Sequence, residues 1–182
     1  MAAQASDCFV IDVVIKRFSV YKVMAEKAFG QISDAQLHQP LDENTNSVAT
    51  ILKHMSGNLR SRFTDFLTSD GEKPDRDRDS EFVDDIADRQ TLLAIWEAGW
   101  RCLFEALSPL TDGDLTKTIT IRGEPHSVID ALLRQLSHCS YHVGQIVQLS
   151  RYLAKDQWTV LTIPRGGSKK FNAMMDAKHG RA

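Results

Sequence analysis

Two histidines, His138 and His142, stand four residues apart in the run His138-Cys-Ser-Tyr-His142-Val-Gly-Gln-Ile. An α-helix repeats every ~3.6 residues, so this spacing stacks both imidazoles on one face, where they can grip one cation together. A third histidine, His54, lies in a separate helical segment and could complete the set. Neutral imidazole is a good ligand for Zn²⁺, Ni²⁺, Cu²⁺ or Fe²⁺. Three histidines leave at least one coordination position open to water or substrate, the arrangement of a catalytic rather than a structural site. With no carboxylate among the ligands, the cation would keep its full charge and strongly acidify a water or thiol beside it. The plainer reading of the pair alone is that two histidines four apart also occur by chance, in core and surface helices.

Four helical segments must position these residues. The first is expected over about Asp7 to Phe29, where Ile11, Val14, Ile15, Phe18, Tyr21 and Ala25 recur at three- and four-residue steps and Gly30 supplies a stop. After a polar stretch, Asn46 or Ser47 caps the second, from about Ser47 to Leu67, with Val48, Leu52, Met55, Leu59, Phe63 and Phe66 as its apolar stripe. The third spans about Asp84 to Leu107, with Leu93, Trp96, Trp100, Leu103, Phe104 and Leu107 inward, and ends at Pro109 and Thr111-Asp-Gly113. A short period-two stretch, Thr116 to Ile121, followed by Arg122-Gly-Glu, reads as a β-excursion or hairpin. Ser127, with Asp130 three residues on, opens the fourth helix, which continues to about Leu153. The tail from Ala154 reads as non-helical at first, and its 162–182 portion, with Ile163-Pro-Arg-Gly-Gly-Ser168, as either a flexible end or a segment folded back over the bundle. Its glycines would let backbone N–H groups approach a ligand. Four long helices in one chain predict an all-α fold, a four-helix bundle with a short β-excursion before its last long helix, as one domain over residues 1–182.

On a helical wheel, Ala131, Gln135, His138, His142, Gln145 and Leu149 share one narrow face of the fourth helix. Leu132, Leu133, Leu136, Val143 and Val147 form a second, which packs on a neighbouring helix or on a second subunit. His54 lies off the centre of its own stripe, beside Asn58, Ser61 and Asp65, and so suits the lip of a cavity. Asn58, one turn after His54, either orients the ligand set or contacts substrate, or is a polar helix residue meeting water. Gln145, one turn beyond His142, has the same two readings. Asp65 and Tyr141 are the candidates for a general base or hydroxyl, with packing the alternative for Tyr141. Gly144 permits close approach of another helix.

Between the second and third helices, Asp70 to Asp79 is dense in charge and contains Gly71 and Pro74, so no helix core can be built from it. It is a solvated loop or a lid over the cleft, with Arg76 or Arg78 binding an anionic group of a substrate. His126 belongs to the turn before the last helix; His38 and His179 read as solvent residues.

Composition is ordinary for a globular protein, 42% hydrophobic and 25% charged over 182 residues. Twenty-two basic and 24 acidic side chains leave a net charge of −2, with no basic stripe, which makes nucleic acid a poor partner. No run of eighteen apolar residues suggests a membrane span. The N-terminal Met1-Ala-Ala-Gln-Ala-Ser-Asp7 lacks a basic region before its apolar stretch, so a cytoplasmic location is expected. Cys8, Cys102 and Cys139 are odd in number and show no CxxC spacing, so buried thiols are expected rather than a disulfide framework.

His54 within the second helix, together with His138-x-x-x-His142-x-Gly-Gln-Ile in the last, resembles the DinB/YfiT-like superfamily of metalloenzymes. The resemblance is closer to an uncharacterised bacterial branch of it, through His54-Met-Ser-Gly57-Asn58-Leu-Arg60-Ser-Arg62, Asp70-Gly-Glu-Lys-Pro74, Arg76-Asp-Arg78-Asp79, Glu81-Phe82, Ile163-Pro-Arg-Gly-x-Ser168 and Phe171-Asn172. These blocks span most of the chain in order. The resemblance implies an up-down-down-up bundle, often a homodimer, with a divalent metal, zinc or nickel, on His54, His138 and His142. Some relatives are transferases that use low-molecular-weight thiols such as bacillithiol or mycothiol. The expected function is therefore a metal-dependent S-transferase or hydrolase acting on a small electrophile. The alternative is a non-catalytic metal- or small-ligand-binding stress-response protein. An open cleft lined by the Asp70–Asp79 loop would favour the enzyme.

Overall fold

The computed structural model describes residues 8–86 and 88–180. It is all-α apart from one hairpin. The elements are α1 (Phe9–Phe29), α2 (Asp34–Leu37), α3 (Val48–Phe63), α4 (Arg89–Leu107), β1 (Thr118–Ile121), β2 (Glu124–Ser127), α5 (Val128–Ala154) and α6 (Ser168–His179). The four long helices form a bundle in which α1 packs along α5 and α3 along α4, while α3 against α5 and α1 against α4 close the ring. Among the described residues, no helix is long and apolar enough to cross a membrane.

The helix starts follow capping chemistry. Ser47, Asp88 and Ser127 each accept a hydrogen bond from the backbone N–H three residues on, at Thr50, Thr91 and Asp130. The core is built around Phe18, Trp96 and Trp100, all fully buried. Trp100 meets Phe18 and Trp96 edge to face, with centroids 6.4 and 5.4 Å apart, the arrangement that ring quadrupoles favour. Gly99 lets α3 and α4 approach backbone to backbone. A Cβ there would stand 2.7 Å from Ser56 Cα, and Ser56 Oγ donates across the same contact to the Ile95 carbonyl at 2.6 Å.

Several boundaries differ from the sequence reading. α3 ends at Phe63 rather than Leu67, because Thr64 is extended and Asp65 takes a left-handed φ of 49°. Phe66 stays in the core nonetheless, buried beside Phe63. α4 begins at Arg89 rather than Asp84, since Asp84 and Asp85 serve as partners of Ser47 and Lys53 on α3. Its inward stripe takes Leu92 in place of Leu93, which is half-buried with Phe104. The short α2, with a Ser33–Gln36 capping box, and the exposed α6 carry no apolar stripe strong enough to read. Asp7, the expected start of the first helix, and the remainder of Met1–Asp7 lie outside the described residues.

The hairpin is present. Thr118 pairs with Ser127 and Ile121 with Glu124, antiparallel. Its two-residue turn has Arg122 and Gly123 at φ 57° and 77°, the consecutive left-handed pair that tight hairpins require. Asp70 clasps this turn, accepting from the N–H groups of Arg122 at 2.8 Å and Gly123 at 2.7 Å. The N–H of Glu72, with those of Gly123 and Arg122, holds the Asp70 carboxyl down at about 2. The charged loop is thereby stitched to the hairpin and, through Ser61 Oγ to the Gly71 carbonyl at 3.0 Å, to α3. No disulfide joins Cys8, Cys102 and Cys139; only Cys139 is fully buried, and burial raises its thiol to about 12.

Candidate metal centre

The bundle brings His54 of α3 against His138 and His142 of α5. One ring nitrogen from each lies within 4.8 Å of the others. His54 and His142 are 3% and 4% exposed, and His138 is half-buried. His54 Nε2 and His138 Nε2 are 3.3 Å apart. Two nitrogens each ~2.0–2.1 Å from one tetrahedral ion would be about 3.3 Å from each other, so this pair already has ligand spacing.

The opposite side of each ring is engaged by protein. His54 Nδ1 donates to Glu81 Oε2 at 2.9 Å, and His142 Nδ1 donates to Gln145 Oε1 at 2.9 Å. The amide of Gln135 lies 3.5 Å from His138 Nδ1. In His54 and His142, donation from Nδ1 leaves the Nε2 lone pair as the free acceptor, which is the tautomer a metal takes, whereas at His138 the Gln135 amide N–H faces Nδ1. Among the described residues, His142 Nε2 is buried with no hydrogen-bond partner. A buried nitrogen left so is costly unless something binds it. A divalent cation fits both its chemistry and its position.

Burial pushes His138 down to about 3, the neighbouring His142 and His54 adding to the effect. Burial first and His54 second push His142 down to about 4. Both rings are therefore neutral at physiological pH, the form in which an imidazole can bind a metal. Their folded pKa values lie below the unfolded 6.5, so the stability linked to them is fully present above 6.5 and is lost as pH falls toward 4. The metal-free protein should lose about 3 kcal/mol between pH 6.5 and 5, about 1.5 from each ring, read by urea denaturation. The His138→Ala/His142→Ala variant should show a flatter profile over the same window. An equal slope in both proteins would place the titration elsewhere.

Glu81 is the component that sequence reasoning gave no role. It sits in a 3-10 turn, Asp79–Phe82, and is 6% exposed. Arg76 grips it with both arms of the guanidinium, Nε to Oε1 at 2.8 Å and Nη2 to Oε2 at 2.9 Å. Gly57, three residues after His54, makes room for it: a Cβ there would lie 2.2 Å from Glu81 Oε1. The glycine at one turn from a candidate ligand was the available signal. Phe82 stacks on the His54 ring with centroids 4.6 Å apart, and the Arg78 guanidinium lies 4.9 Å over Phe82.

A cavity of about 240 Å³ opens beside the histidines, with His54, His138, Asn58, Tyr141, Arg76 and Arg78 in its walls. His54 is thus at a cavity wall, as its flank suggested, yet almost fully buried. Asn58 is 7% exposed, and its side-chain oxygen has no partner among the described residues. Tyr141 is exposed, its ring 4.0 Å from that of His142. Asp65 stands apart: it is exposed and lines a different hollow, with Arg60, Thr64 and Lys73. Arg76 is almost wholly committed to Glu81 and Glu72, whereas Arg78 is exposed. Of the other histidines, His126 is in β2 and bonds Asp130 at 2.6 Å. His38 is half-buried rather than a bare surface residue, bonding Asp84 at 2.7 Å, and His179 is exposed in α6.

A model of the family described as "Protein of unknown function (DUF1572)" matches residues 5–167. No curated protein matches the chain.

Proposed function

The chain belongs to the DUF1572 family, and on that footing we propose that it is a divalent-metal-dependent enzyme acting on a small electrophile. His54, His138 and His142 would hold the cation. The observation that carries this reading is the convergence of three imidazole nitrogens within 4.8 Å, one of them buried and unpartnered, beside an open cavity. A cation held there would acidify a thiol or water at its open position and make it a nucleophile at neutral pH. Glu81 fixes the tautomer and orientation of the His54 ring, and Gln145 does the same for His142. Phe82 shields the outer face of His54 from water. Asn58 offers a buried amide to whatever enters the cavity.

The bundle and the three histidines support kinship with the DinB/YfiT-like superfamily. On that ground a low-molecular-weight thiol is the proposed co-substrate, and the reaction to assay first is S-transfer, with hydrolysis second. Thiols stay reduced in the cytoplasm, the proposed setting. A second copy of the chain is the proposed partner. Leu133, Tyr141 and Tyr152 are exposed on α5 around the open backbone of Gly144, a surface on which a dimer would close. Zinc and nickel are the ions to load, since imidazole accepts both.

The test is metal analysis of the purified protein, followed by displacement of chloride from 1-chloro-2,4-dinitrobenzene and related electrophiles by several thiols. Metal-loaded protein should accelerate the reaction with at least one thiol, and His138→Ala should not. Full metal occupancy with no turnover of any thiol or of water would instead favour a non-catalytic metal-binding protein.

A further inference from the structure

Five arginines, Arg62, Arg76, Arg78, Arg122 and Arg134, line the cavity that holds His54 and His138, and among the described residues no acidic side chain lines it. The nearby carboxylates are already spent. Glu81 is held by Arg76 and His54. Glu72 is shared among Arg62 at 2.9 Å, Arg76 at 3.2 Å and Arg122 at 3.3 Å. Arg78 and Arg134 have no carboxylate partner among the described residues. Arg78 is instead laid over Phe82, which itself stacks on His54, so its guanidinium is held at the cavity wall. Arg122 is 56% exposed and has only the longest of the Glu72 contacts. Phe63, Phe66 and Ile121 give the same cavity an apolar wall. Its volume of about 240 Å³ is below the ~300–1,000 Å³ of sites for drug-sized ligands.

We propose that this cavity binds a small organic anion, whose carboxylate or phosphate is held by Arg78, Arg134 and Arg122 while its apolar body lies on Phe63 and Phe66. The planar guanidinium fork matches either group, and a low-dielectric wall behind the ligand strengthens each charge-assisted hydrogen bond. The excess of guanidinium over carboxylate also raises the local concentration of anions at the mouth. The buried, unpartnered oxygen of Asn58 would take an N–H, O–H or S–H of the same molecule. This specifies the substrate class of the proposed metal enzyme and rests on that reading for its reacting end, but not for its anion-binding end.

The experiment is isothermal titration at constant ionic strength with malonate, inorganic phosphate and the neutral isostere malonamide. The proteins are zinc-loaded wild type and the Arg78→Gln/Arg134→Gln variant, with zinc content measured on each sample. Both substitutions fall on exposed side chains, so the fold should persist. Malonate or phosphate should bind the wild type, malonamide should not, and the double variant should lose at least tenfold in affinity with zinc content unchanged. Whichever anion binds more tightly identifies the group as carboxylate or phosphate. Equal affinity of variant and wild type, or malonamide binding as tightly as malonate, would overturn the proposal. Zinc-free wild type separates the two readings: arginine-dependent anion binding without zinc upholds the anion site even where metal loading fails.

Discussion

Replacing His138 with alanine should abolish stoichiometric metal binding and leave the bundle folded. The wild-type chain should carry about one divalent ion per protomer after loading with zinc, and the variant almost none. Removing an outer partner of a metal ligand typically costs ~10–100-fold in affinity, and removing one of only three ligands should cost more. The fold should survive for two reasons. Alanine is a better helix former than histidine within α5, and the His138 ring is held neutral by burial at a cost the variant no longer bears. A ligand at 100 times its dissociation constant adds ~2.7 kcal/mol to stability. For a chain of this size that is roughly 5–10 °C in melting temperature. Zinc should therefore raise the melting temperature of the wild type by about this amount and leave that of His138→Ala unmoved. Equal shifts in both proteins would show that zinc binds elsewhere.

The second large effect is expected at Glu81. Its carboxylate bonds His54 on one side and Arg76 on the other, all nearly buried. Glu81→Gln keeps an acceptor for His54 Nδ1 but removes the charge, leaving Arg76 with Glu72 alone. Zinc affinity should fall about 10–100-fold, measured by competition with a chromophoric chelator. Stability should fall by about 1–3 kcal/mol, because a buried guanidinium loses its closest counter-charge. The double variant Glu81→Gln/Arg76→Met separates the two roles. It should recover much of the stability, as the unpaired charge is gone, yet not the zinc affinity. Recovery of both would mean that Glu81 serves only the ion pair and does not tune His54.

How much of this was legible in the sequence depended on range. Local signals carried α5 almost whole: Ser127 caps it, the apolar positions repeat, and His138 and His142 share a face by spacing alone. The hairpin was legible from Arg122-Gly123 between alternating residues. His54 was different, because nothing local links it to residues 84 positions away. Its polar flank in a separate helix made it a candidate third histidine, and the resemblance then joined it to the pair on α5. Glu81 was nearly hidden: Gly57 signals a close approach one turn from His54, but in a run of alternating charges no pattern marks which carboxylate turns inward. That choice is made by Arg76 and by the space at Gly57, both tertiary facts. The early end of α3 depends on the left-handed backbone at Asp65 overriding an apolar stripe that continues through Phe66. The exposed α6 is helical without a buried face, so periodicity had nothing to report.

X-ray absorption at the metal edge of zinc-loaded protein tests the three-histidine site most directly. Three imidazoles with nitrogen at about 2.0–2.1 Å, completed by a light non-protein neighbour, is the expected spectrum, with one imidazole fewer or no bound zinc in His142→Ala. Sulfur at about 2.3 Å, which would place zinc on a cysteine, or a shell with no imidazole scattering, would contradict it.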